Sequence, residues 1–254
     1  MFVSILLLSC ESRPASSTDS SVPPASSVTQ AAGAFRWVHH NAADWITFDL
    51  DLTAVDLALV GQAPNEPRTL GALRPFLTMH NRELVMATNA GIFNPAHRPV
   101  GLHIQHGQEF APLSNADGEG NFYLKPNGVF WIDASGAHVA PTEHYAPKGK
   151  IELATQSGPL LTTQGRLHPA FVASSTSLRT RSGVGVDARG HVVFALSRER
   201  VTFYATATLF RDVLGCPDAL YLDGEISSVA APGLPAPEAQ EYGGLLVATK
   251  RARP

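Results

Sequence analysis

The chain of 254 residues is poor in charged residues and in long apolar runs, and each deficit argues against a class of protein. Charged residues make up only 16% of the sequence, the formal net charge is −3, and no basic run stands out. Because binding to a nucleic-acid backbone needs clustered Lys and Arg, nucleic acid is not an expected partner. Beyond the N-terminus, no apolar run approaches the length that spans a bilayer.

Cysteine is also scarce, with only Cys10 and Cys216 present. Cys10 ends a short apolar run that begins at Phe2, and this segment resembles a lipoprotein signal whose cysteine becomes lipid-modified after cleavage. We therefore predict a signal segment at residues 1–10 and a lipid anchor through Cys10, with plain secretion and a structural N-terminus as alternatives. Cys216 would then lack an intramolecular partner. It is expected to be a small buried thiol after a helix, and a catalytic cysteine is the alternative.

The segment after Cys10 supports export. Residues 11–33 consist mainly of Ser, Ala, Pro and Thr, with almost no large apolar side chain. Such a segment cannot bury enough surface to offset the entropy lost on ordering, so a tether is predicted. Residues 34–254, roughly 220 in number, are enough for one domain with a substantial core. The expected location is therefore outside the cytoplasm, either anchored to a membrane or free in the periplasm or medium.

The remaining chain predicts many short strands and few helices. Apolar and polar residues alternate from Ile46 to Leu52, which is typical of a half-buried strand. Helices are predicted from Thr69 to His80, with an interruption at Pro75, and from a cap at Thr202 to Gly215. Further apolar segments predict strands at residues 84–87, 100–105, 128–132, 153–156, 184–187, 191–196 and 219–222, with a hairpin turn at 187–190. This mixture predicts an α+β fold, with a mixed and largely antiparallel sheet and a few flanking helices in a single domain.

Two polar motifs follow predicted strands, where a rigid scaffold can aim side chains. Asn89 offers an amide for sugar hydroxyls or a phosphate oxygen, and Gly91 lets the backbone lie close to a ligand. An ordinary turn is the alternative there. Ser157 and the amide of Gly158 can donate hydrogen bonds to an oxyanion. No glycine precedes Ser157 by two residues, so the sequence is not a nucleophile elbow.

Two further motifs contain a charged residue next to one end of a predicted strand. Arg181 and Ser182 precede a glycine-containing apolar strand and suit recognition of a phosphate, with a surface salt bridge as the alternative for Arg181. Asp223 ends a buried strand and is followed by glycine, Glu225 and two serines. It is a candidate nucleophile, acid/base or metal ligand, and a carboxylate that only caps the turn is the alternative.

The sequence gives little support to a metal site. His103 and His106 are three positions apart in a predicted strand, which places their side chains on opposite faces. Asp49 and Asp51 share one strand face that is expected to be solvated, with metal binding as the alternative. No metal ligands or cofactor are predicted, although a metal requirement stays open.

Five motifs occur in a fixed order along the chain: Asn-x-Gly-x-Phe at 89–93, Asn-Gly-Val-Phe at 127–130, Gln-Ser-Gly-Pro at 156–159, Arg-Ser-Gly-Val-Gly at 181–185 and Leu-Asp-Gly-x-x-Ser-Ser at 222–228. This ordered set resembles the phosphodiester glycosidase family, most of all its bacterial branch, over residues 89–234. The resemblance implies cleavage of a glycosidic C–O bond with a phosphate as leaving group. By motif, it places the following residues in the pocket: Asn89, Gly91, Ser157, Gly158, Arg181, Ser182, Asp223, Gly224, Ser227 and Ser228.

Within this resemblance, Arg181 is expected to hold the phosphate and Asp223 to act as nucleophile or base at the anomeric carbon. Glu225 is a candidate second carboxylate. This position and Ile226 depart from the consecutive glycines of the mammalian branch, as Ala90 departs from its Asn-Gly-Gly. The expected substrate is a phosphodiester-linked glycan or sugar phosphate of the envelope or medium. Two alternatives stay open: a non-catalytic carbohydrate-binding lipoprotein of the envelope, and a metal-dependent phosphodiesterase that breaks the P–O bond.

Overall fold

The computed structural model describes residues 27–30, 35–235, 237 and 239–251. The predicted signal segment with Cys10 and most of the predicted tether lie outside these ranges. In the parts of the chain that are described, no helix combines the length and the apolar character needed to cross a bilayer. The strands, in chain order, are β1 (Ser27–Gln30), β2 (Arg36–His40), β3 (Ala43–Leu50), β4 (Val55–Val60), β5 (Leu84–Asn89), β6 (His103–Gln105), β7 (Gln108–Ala111), β8 (Gly128–Asp133), β9 (Gly136–Pro141), β10 (Ile151–Ser157), β11 (Leu160–Thr163), β12 (Arg166–Leu167), β13 (Ser182–Val186), β14 (Val192–Ser197), β15 (Asp218–Asp223), β16 (Val229–Ala230) and β17 (Leu245–Lys250).

The expectation of an α+β fold is wrong, because the protein is built mainly of β-sheet. Strands account for 41% of the structure and helices for 13%, and the residues described contain two short α-helices besides 3-10 turns at Asn121–Tyr123 and Thr142–His144. The first, α1, spans Leu70–Met79. The second, α2, spans Phe203–Thr208 and continues as a π-helical segment at Leu209–Val213. Strands that the apolar pattern did not predict, such as β4, β9, β11 and β17, account for the difference.

The strands form three sheets. The largest has eight strands in the order β1-β2-β3-β14-β13-β15-β11-β12, the second has the order β7-β6-β10-β8-β9, and the third has the order β16-β5-β17-β4. Each of the pairings recorded between these strands is antiparallel. Residues 187–190 join β13 and β14 as the predicted hairpin, closed by a hydrogen bond from Gly190 N to Asp187 O of 3.0 Å.

The large sheet is buried on both faces, which places it at the centre of the molecule. Along β14, Phe194 belongs to one hydrophobic cluster while Val193 and Ala195 belong to another, as the alternation of a strand requires. The first face packs onto the two smaller sheets, and Phe130 of β8 meets Phe194 edge to face with ring centroids 6.4 Å apart. The second face packs against α2 and its π-helical continuation through Phe210.

Both helices begin where the sequence predicts a cap. Thr69 accepts a hydrogen bond from the amide of Ala72, and Thr202 accepts one from the amide of Ala205, at 3.2 and 3.1 Å. The apolar side of α1 covers the outer face of the third sheet. At one edge of this packing, four motif-bearing strands come together: β5, β10 and β15 end there and β13 begins there.

Candidate active site

Asn89, the last residue of β5, joins two of the predicted motifs in space. Its side chain is 1% exposed. The amide nitrogen donates to Ala90 O at 3.1 Å and to Ser182 Oγ at 3.4 Å. The amide oxygen accepts a hydrogen bond from Ser228 N at 3.3 Å and lies 3.2 Å from Thr88 Oγ1. Asn89 therefore holds the start of β13 and the turn after β15 in a fixed relation, because a buried amide is stable only when its donors and acceptors are used.

Ser182 lies at the centre of this network. Its hydroxyl is 2.8 Å from that of Ser227 and 3.5 Å from the carbonyl oxygen of Asp223. In the sheet, Ser182 pairs with Asp223, and the register between β13 and β15 shifts directly after this pair. The structure thus brings Asn89, Ser182, Asp223, Ser227 and Ser228 together, as the ordered motifs predict.

Asp223 is a half-buried carboxylate at the end of β15. Its Oδ1 accepts a hydrogen bond of 2.7 Å from the amide of Gly224. Among the residues described, no Lys, Arg or His forms an ion pair with it. Burial therefore outweighs the amide and raises the pKa of Asp223 to about 6. A carboxyl group with such a pKa can exchange a proton near neutral pH, which suits acid–base chemistry.

Arg181 is a buried cation, and the alternative of a surface salt bridge does not apply to it. The side chain is 1% exposed, and burial lowers its pKa. Nε donates to Val201 O at 3.0 Å and Nη2 to Ser177 O at 3.1 Å. The guanidinium carbon lies 3.5 Å from the centre of the Phe203 ring. Within the described residues, Nη1 has no hydrogen-bond partner.

Arg181 forms no ion pair within those ranges, although Tyr221 and the more distant charge of Glu225 partly offset the effect of burial on its pKa. This is unusual for a buried charge, because desolvation costs several kcal/mol unless it is compensated. An anionic ligand can provide that compensation. Nη1 is the atom left to donate to it, in a guanidinium plane that the bonds of Nε and Nη2 hold fixed.

Glu225 is placed differently from the other motif residues. Its carboxylate is exposed and accepts hydrogen bonds from Arg200, at 3.2 Å from Nε and 2.9 Å from Nη2. Arg179 approaches the same carboxylate at 3.6 Å. The predicted second carboxylate thus points toward two surface arginines, and it has no recorded contact with Asp223.

Gly91 and Gly158 are required by close packing. A Cβ at Gly91 would lie 2.5 Å from Gln156 O and 2.8 Å from Thr155 Oγ1, and a Cβ at Gly158 would lie 2.7 Å from Phe122 O. Ser157 is fully buried, and its hydroxyl donates to Leu222 O at 2.9 Å. These residues fasten β10 to the other site strands. The hydroxyl proton of Ser157, expected to serve an oxyanion, is used by a backbone carbonyl.

Two residues beside the site were not singled out from the sequence. Thr88 donates its hydroxyl proton to Ser228 O at 2.8 Å, which holds the serine turn against β5. Tyr221 is buried with its hydroxyl next to Gly224, where a Cβ would lie 2.7 Å from that oxygen. Burial raises the pKa of Tyr221 well above its usual range. Tyr221 is two residues before Asp223, so alternation along β15 is the one signal in the sequence that links them.

The remaining candidates for chemistry lie away from this site. Cys216 is a free, fully buried thiol, as predicted, and burial raises its pKa to about 12, which makes a thiolate nucleophile unfavourable. Asp49, Asp187 and His191 form a cluster whose ligand atoms lie within 4.8 Å of one another. Arg189 contacts both carboxylates at 2.6 Å, so a cation already occupies the position that a metal would take.

Comparison with known proteins is consistent with this geometry. YigE of Escherichia coli (strain K12), an uncharacterized protein, is 35% identical over 151 residues, which are 59% of each chain, so the match spans less than two thirds of YigE. The catalytic domain of zebrafish N-acetylglucosamine-1-phosphodiester alpha-N-acetylglucosaminidase, auto-inhibited by its pro-peptide, has a TM-score of 0.60 at 14% identity and covers 94% of this chain and 87% of its own. A candidate exported protein of Burkholderia pseudomallei has a TM-score of 0.50 at 12% identity, covering 84% and 74%. These two structures share the fold.

A family model gives the assignment. The model for phosphodiester glycosidase matches residues 82–239, which is more than half of the chain and includes all five ordered motifs. The protein belongs to the phosphodiester glycosidase family.

Proposed function

We propose that the protein is an exported hydrolase that cleaves the sugar C–O bond of a sugar-1-phosphate diester in a glycan of the envelope or medium. The observation that carries this proposal is the buried side chain of Arg181, which has a free Nη1 and no carboxylate partner among the described residues. Its neighbour Ser182 contacts the Asp223 turn directly. Arg181 and Asp223 both act electrostatically on Tyr221. A buried cation and a carboxylate of raised pKa around one residue suit a substrate with an anionic group next to the reacting carbon.

The chemistry of the leaving group explains why one carboxylate is enough. A glycosidase that expels a sugar alkoxide needs a carboxylic acid to protonate the leaving oxygen. A phosphate monoester is already a stable anion and needs electrostatic stabilisation more than a proton. Arg181 would supply that stabilisation through Nη1, with help from the hydroxyls of Ser182 and Ser227, which lie 2.8 Å apart.

Asp223 would act on the anomeric carbon in its ionised form, either as nucleophile or as base for the attacking water. Its carboxylate receives a single recorded hydrogen bond, from Gly224, so most of its lone pairs are free for this role. Asn89 and the Ser157–Gly158 turn would support the sugar side of the site from behind, because their side chains are buried and their hydrogen bonds hold the site strands together. Glu225 stays a candidate for a second carboxylate only if substrate binding releases it from Arg179 and Arg200.

The test is to incubate the full chain with a panel of sugar-1-phosphate diesters in ¹⁸O-labelled water, with and without chelator, and to analyse the products by mass spectrometry. Label in the released sugar supports glycosidic cleavage. Label in the phosphate, together with loss of activity in chelator, would identify a phosphodiesterase. Binding of the panel without turnover would identify the carbohydrate-binding alternative and overturn the proposal.

Export and lipid anchoring are part of the same proposal, and they rest on the sequence of residues 1–33. They are tested by fractionating cells that express the full chain and the Cys10→Ala variant. The wild type is expected in the membrane fraction and the variant in the soluble envelope or medium. Recovery of both from the cytoplasm would reject export.

A further inference from the structure

A cavity of about 560 Å³ lies directly beside the Asp223 turn. Ser227 and Ser228 form part of its wall on the side of the proposed active site, and Trp37 and Arg198 belong to the same lining. Its size is within the range of small-molecule binding sites. None of Asn89, Ser157 or Gly158 belongs to its described lining. Neither Arg181 nor Asp223 lines it. Ser227, proposed above to help bind the phosphate, is the link that makes the cavity adjoin the phosphate side of the site.

The charge of this cavity is unbalanced. Of its described lining residues, only Arg198 and Glu225 are charged. Glu225 is already bonded to Arg200 and approached by Arg179, whose side chains do not line the cavity. Arg198 has no acidic partner within the described ranges, and its guanidinium carbon lies 5.9 Å from the centre of the Trp37 ring. One cation is thus available to an anionic ligand.

The rest of the lining suits a sugar ring. The indole of Trp37 is half-buried and offers a flat apolar surface, while Ile46, Leu196 and Val229 add apolar contacts. Hydroxyl groups of Ser227 and Ser228 and the amide of Gln240 provide hydrogen-bonding groups of the kind that sugar hydroxyls need. A flat apolar surface beside a few polar groups is the usual composition of a site that orients a small polar ligand.

We propose that this cavity is the subsite for the group on the other side of the phosphate, and that this group is a pyranose bearing its own acidic substituent. Trp37 would stack on the sugar ring, and Arg198 would bind the acidic group, either a carboxylate or a second phosphate. The conclusion that the cavity holds the leaving group and not the cleaved sugar rests on the proposed function. Binding of an acidic sugar phosphate in the cavity does not depend on turnover. Arg198 and Trp37 would thus set specificity for the part of the substrate that leaves with the phosphate.

The test measures binding by calorimetry to the full chain, using methyl phosphate, glucose 1-phosphate, glucuronate 1-phosphate and glucose 1,6-bisphosphate. We expect the glucuronate or the bisphosphate to bind about tenfold more tightly than glucose 1-phosphate, since a hydrogen bond to a charged group contributes at least that much. Preference for one of these two identifies the acidic group as carboxylate or phosphate. Equal affinity for all three sugar phosphates, or no binding of any, would overturn the proposal.

Variants of the lining residues test which side chains cause the binding preference. Arg198→Gln should abolish the tenfold preference for the acidic sugar phosphate. Trp37→Leu should lower the affinity for all three sugar phosphates and leave the affinity for methyl phosphate unchanged. Arg36→Gln is the matched control, because Arg36 is an exposed arginine next to Trp37 that does not line the cavity. A loss of preference in the control equal to that in Arg198→Gln would reject the assignment. Arg198-dependent binding without hydrolysis of any diester would keep the subsite and reject the glycosidase.

Discussion

The two ends of β13 carry two clusters of ionisable groups that are organised in opposite ways. At one end, Asp187 is grouped with Asp49, Arg189 and His191, and each carboxylate is paired with a cation. At the other end, Arg181 and Asp223 lie on adjoining segments, and neither forms an ion pair with any residue that the structure describes. The same strand therefore connects a neutralised cluster to one whose charges are kept apart.

The pKa values express this difference. Burial alone would raise the pKa of Asp49, but hydrogen bonds and charges from Arg189 and His191 lower it below its ordinary value. At Asp223 burial is opposed only by one backbone amide, and the pKa rises to about 6. Paired charges contribute to stability and leave little reactivity, whereas desolvated and unpaired charges cost stability and are available to a substrate. The comparison teaches that Asp223 and Arg181 are the groups to test.

The largest expected effect is that of Asp223→Asn on turnover. Asparagine keeps the oxygen that accepts the amide of Gly224 but cannot act as nucleophile or base, so we expect a loss in kcat of about a thousandfold. The measurement is hydrolysis of a diester that the wild type cleaves. Asp49→Asn is the control from the opposite end of β13 and should keep wild-type turnover. Equal activity of Asp223→Asn and wild type would remove Asp223 from the chemistry.

Arg181→Lys should have the next largest effect. Lysine keeps the charge but loses the planar group that stacks on Phe203 and presents Nη1, so we expect kcat/KM to fall about a hundredfold. Affinity for inorganic phosphate, measured by calorimetry, should fall with it. Arg189→Lys makes the same change in the paired cluster and should alter neither quantity. A similar loss in both variants would mean that the contrast between the clusters has no functional meaning.

The two aspartates should also differ in how they affect stability with pH. Because the folded pKa of Asp223 is raised to about 6, the folded state keeps a proton that the unfolded chain releases near pH 4. Stability is therefore lost as the pH rises through this window. Asp223→Asn removes the ionisation, so we expect it to exceed the wild type in free energy of unfolding by about 2 kcal/mol at pH 7.5 and to match it near pH 4.

Asp49→Asn should behave in the opposite sense. The folded pKa of Asp49 is lowered, so its contribution is present above the ordinary carboxyl pKa and is lost as the pH falls. We expect a destabilisation of about 1 kcal/mol at pH 7.5 that disappears at low pH. Urea unfolding of Asp223→Asn at pH 4 and pH 7.5, and of Asp49→Asn at pH 7.5 and at about pH 2, below the lowered pKa of Asp49, tests both predictions. If Asp223→Asn destabilises the protein at pH 7.5, Asp223 is a structural carboxylate.

Local signals in the sequence predicted the elements that depend on few residues. Caps at Thr69 and Thr202 and the turn at Asp187–Gly190 are each determined by neighbours within a few positions, and the structure confirms them. The α+β class was wrong because several strands lack a local pattern. β12 has two residues, and β17 is buried along nearly its whole length between β4 and β5, so its side chains do not alternate in polarity.

In the candidate site, too, features that depend on residues far apart in the chain could not be predicted. The resemblance carried by the ordered motifs implied that Asn89, Ser182, Asp223 and the two serines share one pocket, and the structure places them close together. The sequence could not predict that the hydroxyl of Ser157 is used by Leu222 O, since that acceptor is 65 positions away. Nor could it predict the outward direction of Glu225, which depends on arginines from two other loops.

Glu225→Gln is the variant with the smallest expected effect. The carboxylate of Glu225 is exposed and paired with Arg179 and Arg200, and such surface pairs contribute between about 0 and 1 kcal/mol. If the pairs persist during the reaction, kcat should fall by less than about fivefold, which is the equivalent of that energy. The loss of kcat in Asp223→Asn, measured in parallel, shows how large the effect of removing a catalytic carboxylate is. A loss in Glu225→Gln as large as that in Asp223→Asn would show that substrate frees Glu225 to act as the second carboxylate, and the site would then use two acids in place of one acid and an arginine.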